Sequence, residues 1–128
     1  MSLEAWGDEN PDDAYAESWM DAAIDAGWID PADHSPGALA ILNERERQEA
    51  KEGWTPEHDD NHPAGELARA GACYALVAAG LPSEPIRHRF WPFRDWWKPK
   101  SIRTNLVRAG ALIAAEIDRL DRAEKPTT

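Results

Sequence analysis

SIRTNLVRAGALIAAEIDRLDRAE, residues 101–124, decides the fold class. It contains no proline, and good helix formers run from Leu106 to Glu124. Ser101 is a capping residue type, so a long helix is predicted over about 102–124. Ile102, Leu106, Ala109, Ile113, Glu116, Ile117 and Leu120 recur at helical spacing and form its expected buried stripe. Glu116 falls on that stripe, where a carboxylate needs a partner.

The stretch before it, residues 80–99, holds four prolines and three tryptophans, and is read as an irregular aromatic loop lying over a core. A third helix is predicted over about 62–79, with Asp60 or Asn61 as cap and Pro63 in its first turn. Its buried stripe is Leu67, Ala70, Gly71, Tyr74 and Val77. Residues 54–63 are a loop by composition. A second helix is predicted over about 37–52, capped by Ser35 and stopped by Gly53, with Leu39, Leu42, Glu46, Glu49 and Ala50 near one face. A weaker helix, about 14–26, would start at Asp12 or Asp13 and end at Gly27, with Tyr15, Trp19, Ala22, Ala23 and Ala26 along one side.

The expected architecture is therefore all-α. Three main helices form a compact bundle, with a weaker N-terminal helix and a long aromatic loop before the last helix. Residues 1–36 read as an acidic N-terminal extension whose first 12 residues form a flexible arm, 37–124 as the helical domain and 125–128 as a tail. Charge divides the chain in the same place: residues 1–44 carry 11 acids and no Lys or Arg, whereas the rest carries 13 acids and 14 bases. A chain of net charge −10 makes extensive nucleic-acid binding unlikely. No segment is long and apolar enough for a membrane helix, the first residues do not read as a signal peptide, and the lone Cys73 fits a reducing compartment. A cytoplasmic protein is expected.

Two constellations carry candidate chemistry. Glu46 and Glu49 share a helix face, and Asp59, Asp60 and Glu66 follow within one short stretch. Carboxylates converging inside a helical bundle suit Mg²⁺ or Mn²⁺, which would hold phosphate oxygens and leave water as nucleophile. Glu46 and Glu49 are the expected catalytic acids, and zinc on His58 and His62 is the less favoured metal. The second constellation is basic and aromatic. Arg94, Lys98, Lys100 and Arg103 lie near the start of the last helix, where backbone N–H groups also attract anions. With Trp54 and Trp97 they are the expected substrate-binding residues. The competing reading makes the acids surface pairs and caps, and the bases a solvated rim.

Glu44-Arg45-Glu46-Arg47-Gln48, Gly53-Trp54, His58-Asp59-Asp60 and Gly65-Glu66-Leu67-Ala68, together with Trp91-Pro92-Phe93, Trp97-Lys98-Pro99 and the stretch from Leu106 to Arg122, resemble a family of small phage and prophage proteins over roughly residues 39–122. Some of that family look like relatives of the MazG-like all-α nucleoside triphosphate pyrophosphohydrolases. Those enzymes hold magnesium with Glu-x-x-Glu on one helix and Glu-x-x-Asp on another. Glu46-x-x-Glu49 matches the first half, but Arg69 and Arg119 stand where the Asp would follow Glu66 and Glu116. The resemblance implies a metal-dependent nucleoside triphosphate pyrophosphohydrolase. Gly53-Trp54, Asp59 to Pro63 and Lys100 to Leu106 also resemble the ryanodine-receptor-type repeat, which implies a ligand-binding module without hydrolysis. The alternative function is accordingly a non-catalytic nucleotide-binding or protein-interaction module. The Ala/Gly-rich third and fourth helices allow a homo-oligomer.

Overall fold

The computed structural model describes residues 19–124. The predicted arm, the caps Asp12 and Asp13, Tyr15 and the tail lie outside the described residues. Helical backbone over 19–25 forms α1, and a 3-10 turn follows at Pro31–Asp33. Then come α2 (Pro36–Glu52), α3 (Pro56–Asp60), α4 (Glu66–Ala78), α5 (Ser83–Phe90) and α6 (Ile102–Glu124). The fold is all-α, and no strand occurs among the described residues.

Local chemistry sets most boundaries. Ser35 Oγ accepts from the Ala38 N–H, and Pro36 occupies the first turn of α2, where its missing N–H costs nothing. Gly53 ends α2 in the left-handed conformation, at φ 77°, and sends its N–H back to Gln48 O. Thr55 and Pro56 repeat the same start in α3, inside the stretch expected to be loop. Ser101 Oγ accepts from the Thr104 N–H and starts α6 where the sequence places it. Two boundaries differ from expectation. The third predicted helix begins later, at Glu66 after Gly65, and the expected loop of residues 80–99 contains α5. In α5, Pro85 lies within the first turn, where proline does not break a helix.

α6 is the central element. α4 and α2 pack against it, α3 touches it near its end, and α5 packs on α4. Small residues allow the two main contacts. A Cβ on Gly71 of α4 would meet Ala109 O and Ile113 Cγ1, both at 3.1 Å, and one on Gly110 of α6 would meet Ile41 Cδ1 at 2.6 Å.

α4 buries the side its pattern suggests, with Leu67, Ala70, Gly71 and Tyr74 inward, whereas α6 and α2 do not. α6 turns Asn105, Arg108, Ala109, Ala111, Leu112, Ala115, Glu116 and Arg119 inward. Ile102, Leu106, Ile113, Ile117 and Leu120 of the expected stripe are exposed. On α2, Glu44, Arg47 and Gln48 are buried while Leu42 and Glu49 face outward. The reason is the filling of the interior. Trp54, Leu67, Tyr74 and Leu112 form a small core, and Trp91, Phe93, Trp96 and Trp97 of the aromatic loop cover it. The alanines of α6 lie against this core, and paired polar side chains of α2 and α6 occupy the space beside it. The loop is thus packed over the core as expected.

Candidate functional site

Beneath the aromatic loop lies a buried charge network. The Glu44 carboxylate accepts from Arg47 Nε at 2.7 Å, Arg47 Nη2 at 2.9 Å and Gln48 Nε2 at 3.0 Å. Spacings of three and four residues on one helix put these groups on one face. Arg47 also donates to Glu52, which accepts from Lys98 Nζ at 3.2 Å. Arg108 donates to the Lys98 carbonyl and lies over the Tyr74 ring, 5.9 Å from its centroid. Burial alone would lower the Arg47 pKa, but Glu44 and Glu52 raise it above the ordinary arginine value. Burial likewise opposes charge on Glu52, yet Lys98 and Arg47 outweigh it and hold this carboxyl below its usual range. Burial pushes the Tyr74 hydroxyl up. Among the described residues, Gln48 Oε1, Trp54 Nε1 and Arg108 Nε find no hydrogen-bond partner, and all three residues line one cavity of about 10 Å³. That is about the room for a single water molecule, and much too small for a nucleotide.

A second cluster surrounds the histidines. Trp54 stacks on His58 with rings 6.1 Å apart, and His58 and His62 lie 4.8 Å apart. Phe93 and Trp96 meet them edge-on. Trp96 has a φ of 72°, the one non-glycine residue with positive φ among the described residues, and its carbonyl accepts from the Tyr74 hydroxyl. His58 pairs with Asp59, His62 with Glu66, and Arg122 with Asp60 at 2.7 Å. Burial pushes the Asp59 carboxyl up, against the pull of His58, Arg45 and Arg122.

The expected metal ligands do not gather into one donor set. Asp59, Asp60 and Glu66 have the partners just named. Glu46 and Glu49 line a separate groove, whose lining includes none of those three. Among the described residues, no group of three or more His, Cys, Asp or Glu side chains is arranged to hold a metal ion. The five carboxylates suggested from the sequence are therefore divided between two places on the molecule. Glu116, the carboxylate on the α6 stripe expected to need a partner, takes Arg119 at 2.6 Å.

The expected substrate-binding residues are also divided. Trp54 is buried in the core, and Trp97 donates to Ser83 Oγ and tilts against Tyr74. Lys98 is held by Glu52. The Lys100 backbone exchanges two hydrogen bonds with the Asn105 amide, Arg94 is exposed, and Arg103 is half-buried. Most of this basic and aromatic set therefore builds the loop and its attachment to α6.

The groove at Glu46 and Glu49 runs between α2 and α6 and has a volume of about 340 Å³. Ala38, Ile41, Leu42 and Ala114 give it an apolar floor, and Glu46, Glu49, Asp118 and Arg45 give it a polar rim. Arg45 is tied to Asp118 at 2.8 Å, so the rim carries excess negative charge. Sequence reasoning found Glu46 and Glu49 but missed Asp118 and Arg45, which lie 73 positions apart and meet only through tertiary packing. It also missed Glu44, Arg47 and Gln48, although their spacing was a usable signal. Arg108 gave no such signal. Comparison of the chain with protein-family models, curated proteins and solved structures gives no match.

Proposed function

We propose that this chain is a non-catalytic protein-interaction module whose α2–α6 groove takes the apolar side of a partner helix carrying basic flanks. The groove carries this reading: an apolar floor bordered by three carboxylates and one arginine already paired to one of them. An amphipathic helix buries its apolar row on such a floor, and lysines or arginines beside that row answer the acidic rim. Hydrolysis has less support, because Asp59, Asp60 and Glu66 are engaged by His58, Arg122 and His62.

The test uses two synthetic helical peptides with the same apolar row, one with Lys flanks and one with Glu flanks, titrated by fluorescence anisotropy. The Lys-flanked peptide is expected to bind at least tenfold more tightly. Glu46→Lys with Glu49→Lys should remove that preference and leave the melting temperature within a few degrees, since Glu46 is only part-buried and Glu49 exposed. Equal binding of both peptides, or of neither, refutes the reading. A parallel assay for pyrophosphate release from nucleoside triphosphates with Mg²⁺ or Mn²⁺ addresses the hydrolase. Turnover that Glu46→Gln and Glu49→Gln abolish would establish the enzyme instead.

A further inference from the structure

The exposed apolar line on α6 is a separate feature. Ile102, Leu106, Ile113, Ile117 and Leu120 are each between 45% and 65% exposed. They follow one another at intervals of four, seven, four and three positions, which keeps them on one side of the helix. This is the seam spacing of helices that pair along their length. The line spans Ile102 to Leu120 on this 23-residue helix, about 27 Å at 1.5 Å per residue. It does not depend on the groove, which is lined from α6 by Ala114 and Asp118.

We infer that this face binds a second copy of the chain, with the two α6 helices antiparallel about a two-fold axis near Ile113. The line is its own complement in that arrangement: Leu106 of each copy faces Leu120 of the other, and Ile113 meets Ile113. Charge selects the direction. The start of α6 is basic, with Lys100 and Arg103, whereas Asp121 and Glu124 are exposed in its last turn. Antiparallel pairing sets Arg103 of one copy against the Asp121 to Glu124 turn of the other. Parallel pairing would oppose like charges, and the helix dipoles also favour the antiparallel choice. Arg103 and Asp121 lie on the same flank of the line, and in an antiparallel pair equal flanks face each other.

Size is consistent with a dimer of modest affinity. A stable interface covers about 800 Å² on each partner. One helix face about 27 Å long and roughly 10 Å wide supplies part of that. Isologous two-fold pairing is also the commonest symmetry of soluble oligomers.

Sedimentation velocity on the full chain over a hundredfold concentration range tests the inference. A reversible monomer–dimer equilibrium is expected. Leu106→Glu with Ile117→Glu should leave monomer at every concentration, with an unchanged helical circular dichroism spectrum because both positions are exposed. Arg103→Glu alone should weaken the dimer at least fivefold, and adding Asp121→Arg should recover most of that loss. The charge pair keeps the test informative even if the double glutamate variant fails to fold. A wild-type chain that is monomeric throughout, or a dimer indifferent to both sets of changes, overturns the inference. Groove binding of the Lys-flanked peptide is scored by anisotropy, so failure of one proposal is distinguishable from failure of the other.

Discussion

Glu44 and Arg47 are each less than a tenth exposed, and neither would be tolerated there alone. Removing one member of a buried ion pair typically costs about 3–5 kcal/mol, because the other charge stays behind without water or partner. Here the stakes are spread over Glu44, Arg47, Gln48, Glu52 and Lys98, joined by hydrogen bonds from 2.7 to 3.2 Å. Glu52 makes this network sensitive to acid. Its folded-state carboxyl is held below the ordinary value, burial being outweighed by Lys98 and Arg47. The stability it contributes is therefore present above the unfolded carboxylate range, near pH 4.3, and is lost as pH falls through the lower folded value. Lys98→Met should lower stability by up to about 1 kcal/mol at pH 7, its side chain being half exposed and screened. The difference from wild type should shrink below pH 4. Thermal melts from pH 3 to 7 measure this, and a difference independent of pH would show that Lys98 acts through packing alone.

At the scale of elements, the contacts of α6 are set by what is missing as much as by what is present. Gly110 lets Ile41 of α2 approach, and Gly71 lets α4 reach the α6 backbone at Ala109. Alanine ordinarily favours a helix over glycine by about 1 kcal/mol. At Gly110 that gain is overturned, because an added Cβ would stand 2.6 Å from Ile41 Cδ1 and 2.9 Å from Cγ1. Gly110→Ala is expected to destabilise by about 1–3 kcal/mol through overpacking. Ile41→Ala in the same chain should recover part of the loss, giving a non-additive double-mutant cycle in urea denaturation. Additive effects would mean that α2 does not approach α6 this closely.

For the whole molecule, the decisive property is the uneven distribution of charge and apolar surface. The interior is small and holds paired charges, while two apolar strips, the groove floor and the α6 line, remain on the outside. These two strips are the surfaces that the proposed helix contact and the inferred α6 pairing would use. The groove has an acidic rim, and the chain as a whole carries −10. Association of the Lys-flanked peptide should therefore weaken steeply with salt, by roughly tenfold between 50 and 500 mM NaCl, as screening shortens the reach of the rim charges. The α6 dimer, resting mainly on aliphatic contact, should change much less over the same range. Sedimentation and anisotropy at the two salt concentrations distinguish these responses, and equal salt dependence would deny the acidic rim its role.

The sequence by itself determined the all-α class, the α2 start at Ser35 and Pro36, its stop at Gly53 and the whole extent of α6. Caps, prolines and left-handed glycines act within a few residues, so a local reading captures them. It also identified the aromatic loop as a cover for the core. The inward face of α4 was also legible, but only tertiary structure decided which faces of α2 and α6 turn inward. The apolar period of α6 pointed to Ile102, Leu106, Ile113, Ile117 and Leu120, yet the space beneath Trp54, Tyr74 and Trp96 is filled by Glu44, Arg47 and Arg108. Periodicity shows that a helix has an apolar side. It does not say whether that side faces the chain's own core or, as inferred for α6, another molecule. The fate of the acids was decided the same way: Arg122 reaches Asp60 across 62 positions, Arg45 reaches Asp118 across 73, and a carboxylate's neighbours at such separations are set by packing rather than by spacing along the chain.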